Sequence, residues 1–299
     1  MIQCFAKPDY PSSFAGAKEP RLLYACKIDS NYTVHPRILH KHDAFLEILF
    51  VRSGTGVYIL DETRYPIREG DLILCSAGTL HDEDPACSDN LSTLCVGVTD
   101  VQTRGLPPNH LIGPSYTPVF PAGESAGAIE YLMTDIYSML ASDPDRFAET
   151  CHYMMMALVS RVLAATREYC ALHGDTLRRQ PDIIAAKVKA YINAHFEEDF
   201  SLRDISDAIR VSPYHLAHIF KEQTGYSPKQ YTLRRRLGEA QTLLITTRIS
   251  ITDIALRVGF GSLSHFNNMF SKYIGMSPGS YRESYINQEG PSLSLEKAP

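Results

Sequence analysis

Residues 201–209 read Ser-Leu-Arg-Asp-Ile-Ser-Asp-Ala-Ile, and residues 250–258 repeat the pattern as Ser-Ile-Thr-Asp-Ile-Ala-Leu-Arg-Val. A second pair of similar stretches follows, SPYHLAHIFKEQTGYSP at 212–228 and SLSHFNNMFSKYIGMSP at 262–278. The first pair is offset by 49 positions and the second by 50, so one residue is inserted within the second copy. The last third of the chain therefore contains an internal repeat of about 50 residues.

Each copy of the repeat predicts a helix, a turn and a second helix. Ser201 and Ser250 are N-cap residues, and an acidic residue three positions later can reach back to the cap. Apolar residues recur at steps of three and four before and after the turn, and this leaves a polar outer face on the second helix. That face has the spacing of a recognition helix in a DNA major groove. The candidate DNA-binding residues are Ser212, Tyr214, Ala217, His218 and Lys221 in the first copy and Leu263, Ser264, Asn267, Asn268 and Lys272 in the second.

A longer helix is predicted between the two copies. Leu233, Leu237, Ala240 and Leu244 keep helical spacing within residues 229–245, so this helix can fix the separation of the two units. It also carries three consecutive basic residues, which are candidates for phosphate contacts or, alternatively, for a solvated face. These are Arg234, Arg235 and Arg236. A single two-helix turn is common in all-α proteins, but two copies favour DNA binding.

The charge is distributed unevenly along the 299 residues. The chain has a formal charge of -5, whereas residues 183–286 hold 13 Lys/Arg and 9 Asp/Glu, a net +4. The remainder has 16 basic and 25 acidic residues, a net -9. A locally basic segment is what a DNA-facing module requires.

The C-terminal region closely resembles the AraC-type DNA-binding domain over about 100 residues. The resemblance rests on Ile254-Ala255, Val258-Gly259-Phe260, Phe266, Phe270, Lys272, Gly275, Met276, Ser277, Pro278, Tyr281 and Arg282. It implies seven helices, with two helix-turn-helix units joined by one long helix and inserted into successive major-groove segments of promoter or operator DNA. The outward residues of the two recognition helices differ, so the two units are expected to read different base sequences.

The first hundred residues predict a small β-barrel or jelly roll. The β-rich stretches are 45–51, 55–60, 71–75 and 92–98, broken by glycine-containing turns at 53–56 and 68–70. Within them lie His40-x-His42-x4-Glu47-x6-Gly54 and Gly70-x5-Ser76-x-Gly78-x2-His81. This pattern is similar to both cupin motifs, although Ser76 stands where the second motif usually has proline.

Three interpretations of His40, His42, Glu47 and His81 remain open. In metal-binding cupins the matching residues hold a divalent ion, and this donor set suits Fe, Mn, Ni, Zn or Cu. In the sensor domains of AraC-type regulators the same pocket receives a small effector such as a sugar. The third interpretation is a set of internal hydrogen bonds at the barrel mouth. Regulation by an effector requires no metal cofactor.

The sequence favours an α+β multidomain protein. We expect an effector-sensing cupin-like barrel at 1–104, a loop and helical dimerisation segment at 105–180, an all-α tandem helix-turn-helix domain at 181–286 and a tail at 287–299. The loop is placed at 105–116, helices at 126–141 and 144–172, and a polar linker at 174–181. The two helices are expected to form the seam of a homodimer.

The cysteines and the hydropathy pattern indicate an intracellular protein. The seven cysteines form no Cys-x-x-Cys pair, so we interpret them as reduced thiols. No run of about 18 apolar residues occurs, and the first residues lack the pattern of a secretory signal. We therefore expect a cytoplasmic, bacterial-type protein without a membrane partner.

The leading functional hypothesis is a sequence-specific DNA-binding transcription regulator. A small-molecule effector in the barrel would change how the two C-terminal units sit on DNA, and RNA polymerase is a further candidate partner. No catalytic residue is needed. The alternative is a metal-dependent cupin oxygenase or isomerase that uses His40, His42, Glu47 and His81 and carries an appended DNA-binding module.

Overall fold

A computed structural model describes residues 3, 12–15, 18–29, 38–61, 63–84, 87–173 and 183–286. The predicted linker at 174–181 and the tail at 287–299 lie outside these residues. Among the helices that the structure describes, none combines the length and the apolar composition that a membrane-spanning helix needs.

The N-terminal region forms an antiparallel sheet. Seven strands occur among the described residues: β1 Arg21–Ile28, β2 Phe45–Leu60, β3 Thr63–Arg68, β4 Asp71–Cys75, β5 His81–Glu83, β6 Asp89–Thr99 and β7 Val119–Pro121. Their order is β1-β6-β2-β4-β7, with β3 and β5 also paired to β2. Because β7 pairs with β4, the sheet domain extends beyond the boundary expected at residue 104.

The central strand β2 is longer than the sequence predicted. We expected it to break at 53–56, but it continues through two register shifts against β6, at Val51/Ser53 and Ser53/Thr55. Gly54 makes this bend feasible, because its φ is +79° and a Cβ there would lie 2.3 Å from the carbonyl oxygen of Asn90. The first part of β2 pairs with β4, and the part after the bend pairs with β3 and β5.

Alternation along β2 gives the sheet two apolar faces. Leu46, Ile48 and Phe50 belong to one core, and Leu49 and Val51 belong to another on the opposite face. The first core also contains residues of two helices, α1 Ala126–Ser142 and α2 Pro144–His173, which pack on each other and on the sheet. Both helices were predicted from the periodicity of their apolar residues, and the structure has them within one residue of the expected ends.

The C-terminal region is entirely helical in the described part. Residues 183–286 form α3 Ile183–His195, α4 Leu202–Ile209, α5 Pro213–Thr224, α6 Pro228–Thr246, α7 Ile251–Arg257, α8 Leu263–Ile274 and α9 Pro278–Ile286. This set matches the seven helices that the resemblance implied. The units α4–α5 and α7–α8 are the two copies of the repeat, and α6 is the helix that joins them.

The two regions share an apolar core. Ile38, Leu39 and Leu80 come from segments beside the sheet, yet they pack with buried residues of the C-terminal helices. All three are at most 4% exposed. The helical domain is therefore docked on the sheet domain, a contact that the sequence did not predict.

Candidate DNA interface and effector site

Serine residues cap both helices of each unit. Ser201 Oγ accepts the Asp204 N–H at 3.3 Å, and the Asp204 carboxylate accepts the Ser201 N–H at 2.7 Å, which completes a capping box on α4. The Asp204 carboxylate accepts hydrogen bonds from the Ser201 N–H and from the Ser201 hydroxyl, and these two bonds lower the pKa of Asp204. On α7, Ser250 Oγ accepts the Asp253 N–H at 3.0 Å. The capping expected at the start of both copies is present.

The recognition helices begin and end alike. Ser212 caps α5 and Ser262 caps α8, each accepting the backbone N–H of the third residue after it. Gly225 and Gly275 end the two helices with φ of +79° and +87°. The second helix of each unit therefore starts at a serine N-cap and ends at a left-handed glycine, and the two helices have the same length.

Most of the candidate DNA-contacting side chains are exposed on α5 and α8. Tyr214 is 85% exposed, and its ring lies parallel to that of His218 at 6.4 Å between centroids. Ala217 and Asn267 are half-buried. The remaining exposed candidates are Ser212, His218, Lys221, Leu263, Ser264, Asn268 and Lys272. Leu216, Phe220, Phe266 and Phe270 are buried on the opposite faces, as the apolar stripe predicted.

The three arginines of α6 require a correction, because they are neither a solvated face nor free for phosphate contacts in this arrangement. Arg234 is buried and donates to Asp82 through Nε and Nη2 at 3.0 and 2.5 Å. Arg235 is buried against the Phe196 ring at 4.3 Å and pairs with Glu239.

Arg236 is also engaged inside the protein. Its Nε and Nη2 each donate at 2.6 Å, to the carbonyl oxygens of Phe196 and Glu198. The partners of these arginines are carboxylates and carbonyls that are mostly distant in the sequence, so a local run of basic residues does not identify them. The sequence alone therefore could not distinguish arginines that bind phosphates from arginines that stabilise the fold. The exposed lysines of the recognition helices, Lys221 and Lys272, remain accessible to phosphates.

Four residues predicted to form the effector or metal site come together on one face of the sheet, around Glu47 of the central strand β2. One ligand atom from each of His40, His42, Glu47 and His81 lies within 4.8 Å of the others. Glu47 Oε2 is 2.8 Å from His81 Nε2, and Glu47 Oε1 is 3.4 Å from His42 Nε2. All four residues are at most 9% exposed.

The fold explains this convergence. Glu47 lies on β2, and alternation puts its side chain on the same face as Leu49 and Val51. His81 begins β5, which is hydrogen-bonded to the far end of β2, and its backbone also exchanges hydrogen bonds with His40 at 2.8 and 3.0 Å. Spacing in the sequence identified the four residues, but this backbone pairing is what brings the two motifs together.

Two of the histidines are oriented by backbone carbonyls. His40 Nδ1 lies 3.2 Å from the oxygen of Ile38, and His81 Nδ1 lies 2.9 Å from the oxygen of Thr79. These carbonyl contacts at Nδ1 turn Nε2 of each ring toward the cluster. Metal-ligating histidines characteristically have this outer hydrogen bond, so the donor set and its orientation fit a divalent ion.

Glu47 is held in its charged form. Burial acts to raise the pKa of its carboxyl, but His81 and His42 outweigh burial and bring the pKa well below its usual range. The Tyr24 hydroxyl donates a further hydrogen bond to Glu47 Oε1. Tyr24 was missed by the sequence reasoning because β1 lacks a recognisable motif.

The carboxylate next to the cluster faces the helical domain. Asp82 is 1% exposed, and burial raises its pKa to about 6, although the Arg234 guanidinium and the Leu39 N–H act to lower it. The Arg234 side chain also lies over the Tyr226 ring, at 4.8 Å. Asp82 and Arg234 therefore form a buried ion pair between the two domains, adjacent in sequence to the candidate ligand His81.

Comparisons with known proteins match both parts of the chain. Residues 22–100 match the family model of an AraC-like ligand binding domain, and residues 205–284 match that of a helix-turn-helix domain. The HTH-type transcriptional regulator YdiP of Escherichia coli K12 is 25% identical over 283 residues, which cover 92% of this chain and 89% of the relative. The HTH-type transcriptional activator RhaS of Enterobacter sp. strain 638 is 28% identical over 256 residues, covering 82% and 87%.

A solved structure is also similar over the C-terminal part. The C-terminal domain of AraT, a response regulator from Geobacillus stearothermophilus, is 28% identical, covers 40% of this chain and 96% of its own, and gives a TM-score of 0.36.

A ligand-binding sheet domain followed by two helix-turn-helix units defines a DNA-binding transcription regulator. The two family matches together span more than half of the chain, and the curated relatives named above are transcriptional regulators. The chain belongs to the AraC-type family of transcription regulators.

Proposed function

We propose that this regulator takes a divalent transition-metal ion as its effector, held by His40, His42, Glu47 and His81. The observation that carries the proposal is the separation of the four ligand atoms, all within 4.8 Å of one another and nearly shielded from solvent. A group of this size accommodates one ion, whereas a sugar ring is too large to lie between the four side chains. The ion would supply positive charge that ties the segment before β2, β2 itself and β5 together.

Direct metal binding tests this proposal. Full-length protein freed of metal with a chelator is titrated with Ni²⁺, Zn²⁺ and Mn²⁺ by calorimetry. We expect one ion per chain for the wild type and a loss of roughly tenfold or more in affinity for Glu47→Gln, which keeps the side-chain shape but removes the charge. His152→Ala, a half-buried histidine on α2, is the matched control.

Other results of the same titration support the competing interpretations. No uptake by a folded wild type would favour the internal hydrogen-bond network, and a response to sugars without metal would favour an organic effector. Stoichiometric metal together with turnover of a small molecule would favour the cupin enzyme. The curated relatives named above are transcription regulators, which supports regulation as the role of this chain.

We further propose that α5 and α8 read base edges, with phosphate contacts from Lys221 and Lys272 rather than from the α6 arginines. His, Ser and Asn side chains can hydrogen-bond bases in a major groove, and lysines on the same helices can neutralise phosphates. Such a regulator acts in the cytoplasm on promoter or operator DNA, where RNA polymerase is available as a partner.

We also propose a homodimer that forms through the outer face of α1 and α2. Tyr131 and Tyr153 are 68% and 63% exposed there, and protein–protein interfaces are enriched in aromatic side chains such as tyrosine. The double variant Tyr131→Lys, Tyr153→Lys should sediment as a monomer where the wild type sediments as a dimer. Equal masses for the two proteins would reject this seam.

A further inference from the structure

One face of α6 is shaped to receive the sheet domain. Gly238 is buried in the interior of this helix, and a Cβ there would lie 2.1 Å from the Leu39 carbonyl oxygen and 2.7 Å from that of Ile38. Glycine disfavours a helix interior relative to alanine. Its presence at 238 permits a close backbone approach that no other residue allows without displacement.

Polar contacts flank Gly238 on both sides, one turn away along the helix. Gln241 is fully buried, and its Oε1 accepts the Ile38 N–H at 2.9 Å. Arg234 makes the ion pair with Asp82 described above. On α3, Lys189 is 2% exposed and donates to the carbonyl oxygen of Asp61. Apolar and polar contacts thus coincide on one surface, which we call the α6 docking face and define as Arg234, Gly238 and Gln241.

The segments that meet the docking face are those that carry the candidate ligands. Ile38 and Leu39 immediately precede His40, and Leu80 and Asp82 flank His81. The backbones of His40 and His81 are joined by two hydrogen bonds, and the Ile38 carbonyl that lies over Gly238 also accepts from His40 Nδ1. Segments 38–40 and 80–82 thus contribute both to the cluster and to the contact with the helical domain.

We propose that the α6 docking face holds the DNA-binding domain on the sheet domain, and that docking and ligand binding at the His40, His42, Glu47 and His81 cluster strengthen each other. The second part rests on the proposed function of the cluster. Both events require segments 38–40 and 80–82 in one fixed arrangement, so whichever occurs first removes the conformational freedom that opposes the other. Linkage makes the effect reciprocal: occupancy favours docking by the same factor by which docking favours occupancy.

Docking leaves the recognition helices accessible. Tyr214, His218, Ser264 and Asn268 are exposed while α6 is docked. Because α6 joins the two units, fixing it restrains both recognition helices relative to the sheet domain. The ligand therefore controls how the whole chain is arranged on DNA rather than whether the recognition residues can reach it.

The variant Gly238→Ala tests docking directly in metal-free, full-length protein. Alanine favours the helix but its Cβ collides with backbone carbonyls of the sheet domain, so the helical domain should fold while docking is lost. We expect amide hydrogen exchange at Ile38 and over residues 38–40 to rise roughly tenfold or more. Gly279→Ala is the matched control, because a Cβ there meets its nearest atom at an ordinary 3.7 Å. Unchanged exchange in Gly238→Ala would overturn docking by this face.

A second variant distinguishes the loss of docking from a local folding defect caused by Gly238→Ala. Gln241→Ala removes the hydrogen bond to Ile38 without adding an atom, and circular dichroism reports whether both variants keep their helices. We expect Gln241→Ala to raise exchange at Ile38 in the same direction but by a smaller factor. Protection at Ile38 that is identical to the wild type in both variants, with helices intact, would reject the interface.

Coupling is measured by titrating the same proteins with Ni²⁺ or Zn²⁺. We expect the ion to slow exchange over residues 38–40 in the wild type and Gly238→Ala to bind the ion about fivefold or more weakly. Equal affinities in wild type and Gly238→Ala would overturn the coupling. A wild type that takes up no ion would overturn the proposed effector, and the exchange comparison in metal-free protein would still decide whether docking occurs.

Discussion

At the scale of single residues, His218 on α5 is a side chain with which we expect the first unit to read bases. It is exposed beside Tyr214, and imidazole can hydrogen-bond a base edge. We expect His218→Ala to weaken binding to the preferred site by about 1–3 kcal/mol and binding to random DNA much less. Competition assays with both DNAs measure this difference, and Gln223→Ala, exposed on the same helix, is the control. If His218→Ala loses the same affinity for every DNA sequence, His218 does not contact base edges.

Arg235 leads to the opposite expectation, although it stands in a basic run that resembles a phosphate clamp. Its guanidinium is buried on Phe196 and paired with Glu239. We expect Arg235→Ala to lower the free energy of unfolding by about 2–4 kcal/mol, because it leaves a partly buried carboxylate unpaired and removes packing. Chemical denaturation measures this loss.

The salt dependence of DNA binding separates the two roles of Arg235. A phosphate ligand contributes about one unit to the slope of log affinity against log salt, whereas a structural arginine contributes nothing. We expect the slope of folded Arg235→Ala to equal that of the wild type and the slope of Lys221→Ala to be shallower by about one unit. A shallower slope for Arg235→Ala would restore it to the DNA interface.

At the scale of elements, the caps determine where the short helices begin. Both α4 and α7 have fewer than nine residues, and such helices are marginal without capping and tertiary packing. We expect Ser201→Ala to destabilise the protein by about 1 kcal/mol, because the Asp204 N–H loses its acceptor and the capping box is broken. Thermal unfolding measures the loss, and Ser201→Asp should retain most of the wild-type stability. If Ser201→Asp lowers the stability more than Ser201→Ala does, the contribution of Ser201 is not that of a helix cap.

Elements that depend on contacts within a few residues could be predicted from the sequence, whereas elements that depend on distant contacts could not. The helices of the repeat, α1 and α2 are encoded by caps, glycine stops and apolar periodicity within a few residues, and the structure has them where these signals lie. Strands β1 and β7 were missed because they pair with strands far away in the sequence, β6 and β4. Strands β3 and β5 pair with the nearby end of β2, but β3 contains Pro66 and β5 has only three residues, so neither has the alternation that predicts a strand. The four candidate ligands were found from motif spacing, although Tyr24 and the backbone pairing of His40 with His81 were not.

One residue in the sequence, Gly238, indicates the docking of the two domains. Gly238 lies in the middle of an otherwise regular helical pattern, where glycine costs about 1 kcal/mol relative to alanine. Such a residue indicates a close backbone approach but not its partner. The partner, Leu39, is about 200 positions away, so only the folded chain identifies it.

At the scale of the whole molecule, the two recognition helices present different side chains to DNA. The first unit presents Tyr214 and His218, and the second presents Ser264 and Asn268, so one chain cannot read the same bases twice. We expect genomic fragments selected by the full-length protein to contain two unlike segments about 10 base pairs apart for each bound chain. If the chain is a dimer, this composite site should occur twice.

Selection with two variants tests that asymmetry. Because each recognition helix should contact its own segment, His218→Ala should relax base preference in one segment and Asn268→Ala in the other, each by about 1–3 kcal/mol at the positions affected. Sequencing of the selected fragments measures the preference at every position, and Gln223→Ala provides a selection in which neither segment should change. If both variants relax the same segment, or if the wild-type site for one chain is palindromic, the two units do not read DNA as independent halves. A fixed spacing between the segments in wild type and in both variants is expected, because α6 sets the separation of the units and neither substitution touches it.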